Sequence, residues 1–272
     1  MRADEITPVI LTYNEAPNIA RALAALSWAP RIVVLDSGST DGTLDILKRH
    51  VNVSVLHRTF DNHASQWSHA LAAGNIATPW VLGLDADLIP SRDFIAEVLA
   101  LEPPPAVAGF EARIRYCIRG RALPRSLYPP RIILFRPERA QFVQDGHTQR
   151  LIAGNDVIKL THAIDHDDRK PLSHWIRSQD SYARLERDKL RATPRAKLGF
   201  ADRVRSWRVA APLAVLFHCL FVKRLIFAGL PGWFYTYQRV AAEILLALYL
   251  IEDRIEEPSA EKAPERRSES AQ

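Results

Sequence analysis

Short apolar runs that end in polar clusters recur along the first hundred residues. Pro8-Val9-Ile10-Leu11-Thr12 gives way to Tyr13-Asn14-Glu15-Ala16-Pro17-Asn18. Arg31-Ile32-Val33-Val34-Leu35 gives way to Asp36-Ser37-Gly38-Ser39-Thr40-Asp41-Gly42-Thr43, and Trp80-Val81-Leu82-Gly83-Leu84 ends in Asp85-Ala86-Asp87. Apolar runs of this length between polar stretches read as buried strands. Ile19, Leu23 and Leu26 follow the first run at helical spacing, and Leu44, Ile46 and Leu47 follow the second. Asn18, and Asp41 or Thr43, are suited to cap those helices. Val51, Val53 and Val55 alternate as a further strand, and Asn62 to Ala77 reads as loop and helix. Strands alternating with helices imply an α/β fold, a mostly parallel sheet flanked by helices with right-handed crossovers. The polar loops then share the carboxyl-end rim of the sheet, where open α/β sheets bind ligands.

Asp85 and Asp87 carry the chemistry of that rim. Residues i and i+2 of an extended segment point to one side, so the two carboxylates can converge on one ligand. Hard oxygen donors suit Mg²⁺ or Mn²⁺, and Mg²⁺ is typically held by one or two carboxylates plus substrate phosphates. Alone, an Asp-x-Asp after a strand is more often an ordinary solvated loop than a metal site. Its company, two further polar loops on the same rim, favours a metal–diphosphate site.

In order and spacing, Thr12-Tyr13-Asn14-Glu15, then Asp36 to Thr43, then Leu84-Asp85-Ala86-Asp87 resemble the inverting family 2 glycosyltransferases of the GT-A fold. The resemblance covers roughly the first hundred residues. It implies that Thr12, Tyr13, Asn14 and Glu15, with Asp36, Ser37 and Gly38, hold the base and ribose of a nucleotide sugar. It also implies that Asp85, Ala86 and Asp87 meet the ribose and a divalent metal (Mg²⁺ or Mn²⁺) on the diphosphate, with a UDP-sugar as the expected donor. Gln66-Trp67-Ser68-His69 departs from the wider family, which carries an arginine near Trp67. Trp67 is thus either a nucleotide contact or helix core. The Gln-Trp form resembles a bacterial lipopolysaccharide-core and surface-polysaccharide subset, which implies a glycolipid or saccharide acceptor.

Further along, Phe94, Ile95, Val98 and Leu99 mark a helix ended by Pro103-Pro104-Pro105, and Val107–Ile118 and Ile132–Phe135 read as strands. An inverting transfer needs a general base within hydrogen-bond reach of the acceptor hydroxyl. The family uses an Asp or Glu here, often beside a second acid, and no such pair is present. In Gln144-Asp145-Gly146-His147-Thr148-Gln149, Asp145 is the first candidate and His147 the second; both residue types also serve as turn or structural residues. By the resemblance, His166 can complete the metal shell. Asp167 and Asp168 read as helix N-terminal residues. Arg169 and Lys170 either neutralise a departing diphosphate or are solvated. Leu172, Trp175, Ile176, Tyr182 and Leu185 form one face of an amphipathic helix. Processive synthases carry Gln-x-x-Arg-Trp on a comparable helix. Trp175-Ile176-Arg177-Ser178-Gln179 lacks it, so single-sugar transfer is expected.

The composition changes the picture modestly. The net charge is +5, with arginines crowded between 113 and 139 and again between 191 and 208. No aromatic-interleaved recognition motif accompanies them, so nucleic acid is not the expected partner; anionic head groups or a phosphorylated acceptor are. Cys117 and Cys219 lack metal spacing, and no disulfide framework is expected. Val209–Val222 and Val240–Ile251 are apolar but shorter than the ~20 residues of a bilayer span. Basic flanks, with Trp207, Trp233, Tyr235 and Tyr237, suit peripheral contact with a membrane interface. Met1–Glu5 leads directly into the first strand without a signal peptide, so the cytoplasmic face of the inner membrane is the expected location. The expected organisation is a catalytic domain over 1–170, nucleotide-sugar half 1–100 and acceptor half 101–170. A helical region over 171–252 and a disordered tail over 253–272 complete it. Two rival functions stand beside the transferase. A nucleotidyltransferase would carry a glycine-rich, basic first loop, and Thr12–Asn18 has no Gly, Lys or Arg. A non-catalytic membrane-associated binding protein would be expected to lose the metal aspartates, and both are here.

Overall fold

A computed structural model describes residues 1–154 and 156–256. The first half alternates as the apolar pattern requires: β1 (Ile6–Thr12), α1 (Ile19–Ala25), β2 (Ile32–Asp36), α2 (Thr43–Leu47), β3 (Val53–His57), α3 (His63–Ala73) and β4 (Trp80–Asp85). β1 lies between β2 and β4, β3 flanks β2, and all three pairings are parallel. Next come β5 (Leu88–Pro90), α4 (Arg92–Ala100), β6 (Gly109–Ala112), β7 (Ile114–Ile118), β8 (Arg121–Ala122) and β9 (Arg131–Phe135). β10 (Gln141–Asp145) and β11 (Thr148–Ile152) form a hairpin, followed by β12 (Val157–Lys159) and β13 (Ile164–His166). The chain closes with α5 (Leu172–Ala192), α6 (Phe200–Arg205), α7 (Ala210–Phe217) and α8 (Gly229–Glu256).

The main sheet has seven strands in the order β12-β6-β9-β4-β1-β2-β3. Only β9 runs against its neighbours, β4 and β6. Both faces are covered, which is why the central strands read as continuous apolar runs instead of alternating ones. Ile10, Val34, Leu82, Leu84, Phe94 and Phe110 pack on one face. Val9, Val33, Leu35, Val81, Trp67 and Phe135 pack on the other. A smaller sheet, β5-β13-β7-β8, sits where the chain returns. There β13 pairs antiparallel with β5, bringing His166 opposite Leu88.

Four details differ from the sequence reading. Val107–Ile118 is two strands: β6 joins the main sheet, with a register irregularity at Phe110/Glu111, and β7 joins the small one. Alternation alone cannot distinguish one strand from two that diverge. Val51 is solvent-exposed and the third strand begins at Val53. Asp167 and Asp168 do not open a helix, since Pro171 holds the N-cap position and α5 begins at Leu172. Their carboxylates instead bind Arg21 and Asn18. The tail does not loosen at Asp253. Helix α8 runs on to Glu256, and Asp253 accepts from Arg191 at 3.0 Å; residues 257–272 lie outside the described residues.

Two positions tie this architecture together and can be tested. Gly83 in β4 has no room for a side chain, since a Cβ there would lie 3.0 Å from Phe135 and 3.1 Å from Trp67. Gly83→Val should lower stability by about 1–3 kcal/mol, the cost of overpacking a filled core, read from the urea midpoint. Glu186 of α5 accepts from the His147 backbone at 3.2 Å and meets the His147 ring at 2.6 Å. Burial raises its pKa, but His147 and Arg205 outweigh burial and hold it down to about 2. The unfolded value is ~4.3. The contribution is therefore complete above that pH and disappears as pH falls through the folded value. Denaturation of Glu186→Gln should lack this component of the acid-limb slope.

Candidate active site

The register aligns the polar strand ends: Thr12 lies opposite Asp36, Asp36 opposite His57, and Leu11 opposite Asp85. Asp36 is fully buried. Its carboxylate accepts from the backbones of Gly38 (2.9 Å) and Ser39 (2.8 Å), and from the hydroxyls of Thr12 (2.9 Å) and Ser39 (2.5 Å). The positive φ of Gly38, +91°, allows that tight turn. The first two loops are knitted to each other as well. Asn14 donates its backbone N–H to Ser39 and its side-chain oxygen accepts from Thr40, both at 2.8 Å. The Glu15 N–H donates to Thr43 at 2.7 Å and the Ala16 N–H to Asp41 at 3.1 Å. Ser37 accepts from Gln66 at 3.0 Å, while the Tyr13 ring is exposed.

Asp85 and Asp87 have different surroundings. Arg131, delivered by β9, binds Asp85 at 2.7 Å and also reaches the Tyr128 hydroxyl at 3.3 Å. With its amide oxygen turned toward them, Gln149 accepts from Arg131 at 2.7 Å and from Trp67 Nε1 at 3.0 Å. Burial raises the Asp85 pKa, but Arg131 outweighs it and keeps the group below the ordinary carboxylate range. Asp87 has no such partner. Its Oδ2 lies 3.3 Å from His166 Nε2, and its Oδ1 is buried without a hydrogen bond. Burial lifts the Asp87 carboxyl, His166 opposes this, and the charges of Asp85 and Asp168 add to the lift. His166 stacks on Tyr116 with ring centroids 4.6 Å apart, and Tyr128 leans against it at 5.0 Å.

This donor set fits a divalent cation. A carboxylate with one oxygen lacking a partner and an imidazole nitrogen are hard-to-borderline donors, as Mn²⁺ or Mg²⁺ accepts. Among the described residues no group of three or more His, Cys, Asp or Glu is arranged to hold a metal ion by itself. The remaining positions would fall to diphosphate oxygens and water, as is usual for Mg²⁺. Lys170 stands close by. It forms an ion pair with Glu15, and its charge acts on Asp87. Burial lifts the Glu15 carboxyl above its usual range and Lys170 counters that lift. Asn18 bridges Glu15 and Asp168 with 2.8 Å bonds to each.

The hairpin brings the two base candidates to different places. Asp145 is bound to Lys189 of α5 at 2.8 Å, and Lys189 also holds Asp202 at 3.1 Å. His147 packs on Tyr182 at 4.8 Å between centroids. The charges of Asp85 and Asp87 act on Tyr182, and those of Asp85 and His147 both act on His63. The His147 Nδ1 is fixed by Glu186. Trp67 is 2% exposed, stacked on Phe142 at 5.2 Å and packed behind Gly83. Ala86 is buried between the aspartates. Arg131, Tyr128, Tyr182 and Glu186 were not legible as site residues. Arg131 was one arginine among eight in its stretch, and Glu186 lay on a helix that reads as merely amphipathic.

A lipopolysaccharide core biosynthesis glycosyltransferase, LpsC of Rhizobium meliloti (strain 1021), is 27% identical over 86 residues, 30% of this chain and 31% of that protein. The chain thus aligns with about a third of the length of that curated relative. Among solved structures, residues 1-349 of S. aureus TarS in complex with UDP-GlcNAc align over 94% of this chain and 92% of that one, with a TM-score of 0.49 and 16% identity. A mycobacterial protein aligns over 72% of this chain and 78% of that one, with a TM-score of 0.45 and 15% identity. The family model described as glycosyl transferase family 2 matches residues 7–155, more than half of the 272 residues, and the chain belongs to that family.

Proposed function

We propose that the chain is a metal-dependent, inverting and non-processive glycosyltransferase that moves one sugar from a nucleoside-diphosphate sugar, a UDP-sugar first among them, to a lipid-linked or lipopolysaccharide-type saccharide. The observation that carries the reading is the unpartnered buried oxygen of Asp87 beside His166, on a rim that also presents Arg131 and Lys170. That combination suits a metal-bound diphosphate. Family membership and the name of the R. meliloti relative support the reaction class and the kind of acceptor. Residues 1–170 would form the catalytic part and 171–252 the helical region. The expected site of action is the cytoplasmic face of the inner membrane.

In this mechanism the loop Thr12–Glu15 and the turn Asp36–Gly38 shape the seat for base and ribose. Asp36 has every acceptor position in use and works by holding the turn. Trp67 likewise works from behind the sheet. Asp87 and His166 would hold the cation, with Asp85 anchored beside them by Arg131. When bound, the cation neutralises diphosphate charge and makes the nucleoside diphosphate a better leaving group. The acceptor oxygen attacks the anomeric carbon from the face opposite the diphosphate, and its proton passes to the base. The bond from the anomeric carbon to the phosphate oxygen breaks, and that oxygen keeps the electron pair near Lys170. For the base, the geometry favours His147 over Asp145. With its Nδ1 proton on Glu186, the imidazole keeps Nε2 free to accept, whereas the Asp145 carboxylate is bound to Lys189.

Calorimetry of the purified chain with UDP, GDP, dTDP and CMP compounds, with and without Mn²⁺, should give metal-dependent binding of one nucleoside diphosphate. Asp87→Ala should abolish that metal dependence while its circular dichroism stays unchanged. No binding by any of them from a folded sample overturns the donor assignment. Once the donor is known, His147→Ala should lower turnover by about 100- to 10,000-fold, the range for a lost general base, with donor affinity preserved. Asp145→Asn should have a much smaller effect, and the opposite ranking would return the role to Asp145.

A further inference from the structure

Between Asp202 and Glu243 the sequence contains no acidic residue, while Arg203, Arg205, Arg208, Lys223, Arg224 and Arg239 all fall there. Arg205 is committed to Glu186, Asp202 and Glu243. Arg203, Arg208, Lys223 and Arg224 form no ion pair among the described residues.

The same segment carries an apolar ridge. Leu213, Phe217 and Phe221 recur every fourth residue along α7 and the π-turn that extends it, and all three are exposed. The Phe217 and Phe221 rings touch, with centroids 5.0 Å apart. At the junction with α8 the backbone turns twice through positive φ, at Arg224 (57°) and Gly229 (62°). Between and just beyond these turns stand Phe227, 85% exposed, and Leu230, 84% exposed. The ridge is held firmly from behind. Cys219, Leu225 and Tyr235 are buried against Leu123, and the Tyr235 hydroxyl accepts from the Leu127 N–H at 2.8 Å.

We infer that this ridge is a docking surface for an anionic phospholipid bilayer. Apolar side chains enter the acyl boundary, and the flanking arginines and lysine meet lipid phosphates. Charge selects this occupant. A second copy docking the same surface about a two-fold axis would set one set of unpaired basic side chains against another. Anionic lipid head groups supply the missing counter-charge. The contact is interfacial, since among the described residues no helix is long and apolar enough to cross a membrane. A small pocket lined by Asp168, Lys170, Trp175, Phe234 and Gln238 lies between the Lys170 loop and α8, the helix that begins beside the ridge at Gly229. The inference extends the proposed transfer to a lipid-linked acceptor.

The test is co-sedimentation of the full chain with sucrose-loaded phosphatidylcholine vesicles, with and without phosphatidylglycerol. It requires no turnover, so its failure leaves the transferase reading untouched. The chain should pellet with the anionic vesicles, less as salt is raised. The double variant Phe227→Ser, Leu230→Ser should bind on the order of tenfold or more weakly, from the lost apolar burial. Lys223→Glu with Arg224→Glu should remove the preference for phosphatidylglycerol. All four side chains lie outside the cleft, and matching thermal melts would exclude misfolding. A chain that stays in the supernatant with both vesicle types, or pelleting unchanged by both double variants, overturns the inference. So does sedimentation velocity in which the apolar variant dissolves a dimer of the parent chain.

Discussion

Two carboxylates drawn partly out of water at the end of a parallel strand are the constraint around which the second half of the chain is arranged. Desolvated charge is costly unless a counter-charge is supplied. Neither Asp85 nor Asp87 finds a cation within β1 to β4, so later elements must return to them. β9 enters the sheet antiparallel beside β4 and delivers Arg131 to Asp85. β13 pairs with β5, directly after the aspartates, and sets His166 against Asp87. The loop after β13 supplies Lys170 and closes on the first loop through Glu15 and Asn18. The small sheet and the antiparallel strand thus have an electrostatic reason to be where they are.

The two aspartates are also unequal. Asp85 is satisfied within the protein by a guanidinium that remains charged at any accessible pH. Asp87 keeps one oxygen unpaired. Under the proposed function this would divide the work: one group would hold the rim, and the other would keep coordination capacity for a cation that arrives with the donor.

The parallel half of the fold was legible because β1, β2 and β4 are runs of apolar residues covered on both faces, each closed by a loop with its own turn chemistry. Asp36 and Gly38 announce a tight turn, and Asp85 to Asp87 a polar strand end. The second half was less legible for physical reasons. Val107 to Ile118 is one apolar alternation that the structure divides between two sheets. Asp167 and Asp168 have good helix-capping chemistry but answer to Arg21 and Asn18, brought near by tertiary folding. Glu186 and His147 are 39 residues apart, and no local pattern pairs them. Trp67 was ambiguous in sequence because an aromatic suits both a base and a core, and only its position behind Gly83 distinguishes them.

The side-chain bonds that join the loop after β1 to the loop after β2 have a thermodynamic meaning. Most surface loops are conformationally mobile and lose entropy when a ligand orders them, which weakens association. Here Asn14, Ser39, Asp41 and Thr43 restrict both loops before any ligand arrives. The ordering cost is met during folding, so a nucleotide would dock on a lip already close to its bound shape. Under the proposed function, recognition at this edge would be a matter of fit and desolvation, with little induced rearrangement.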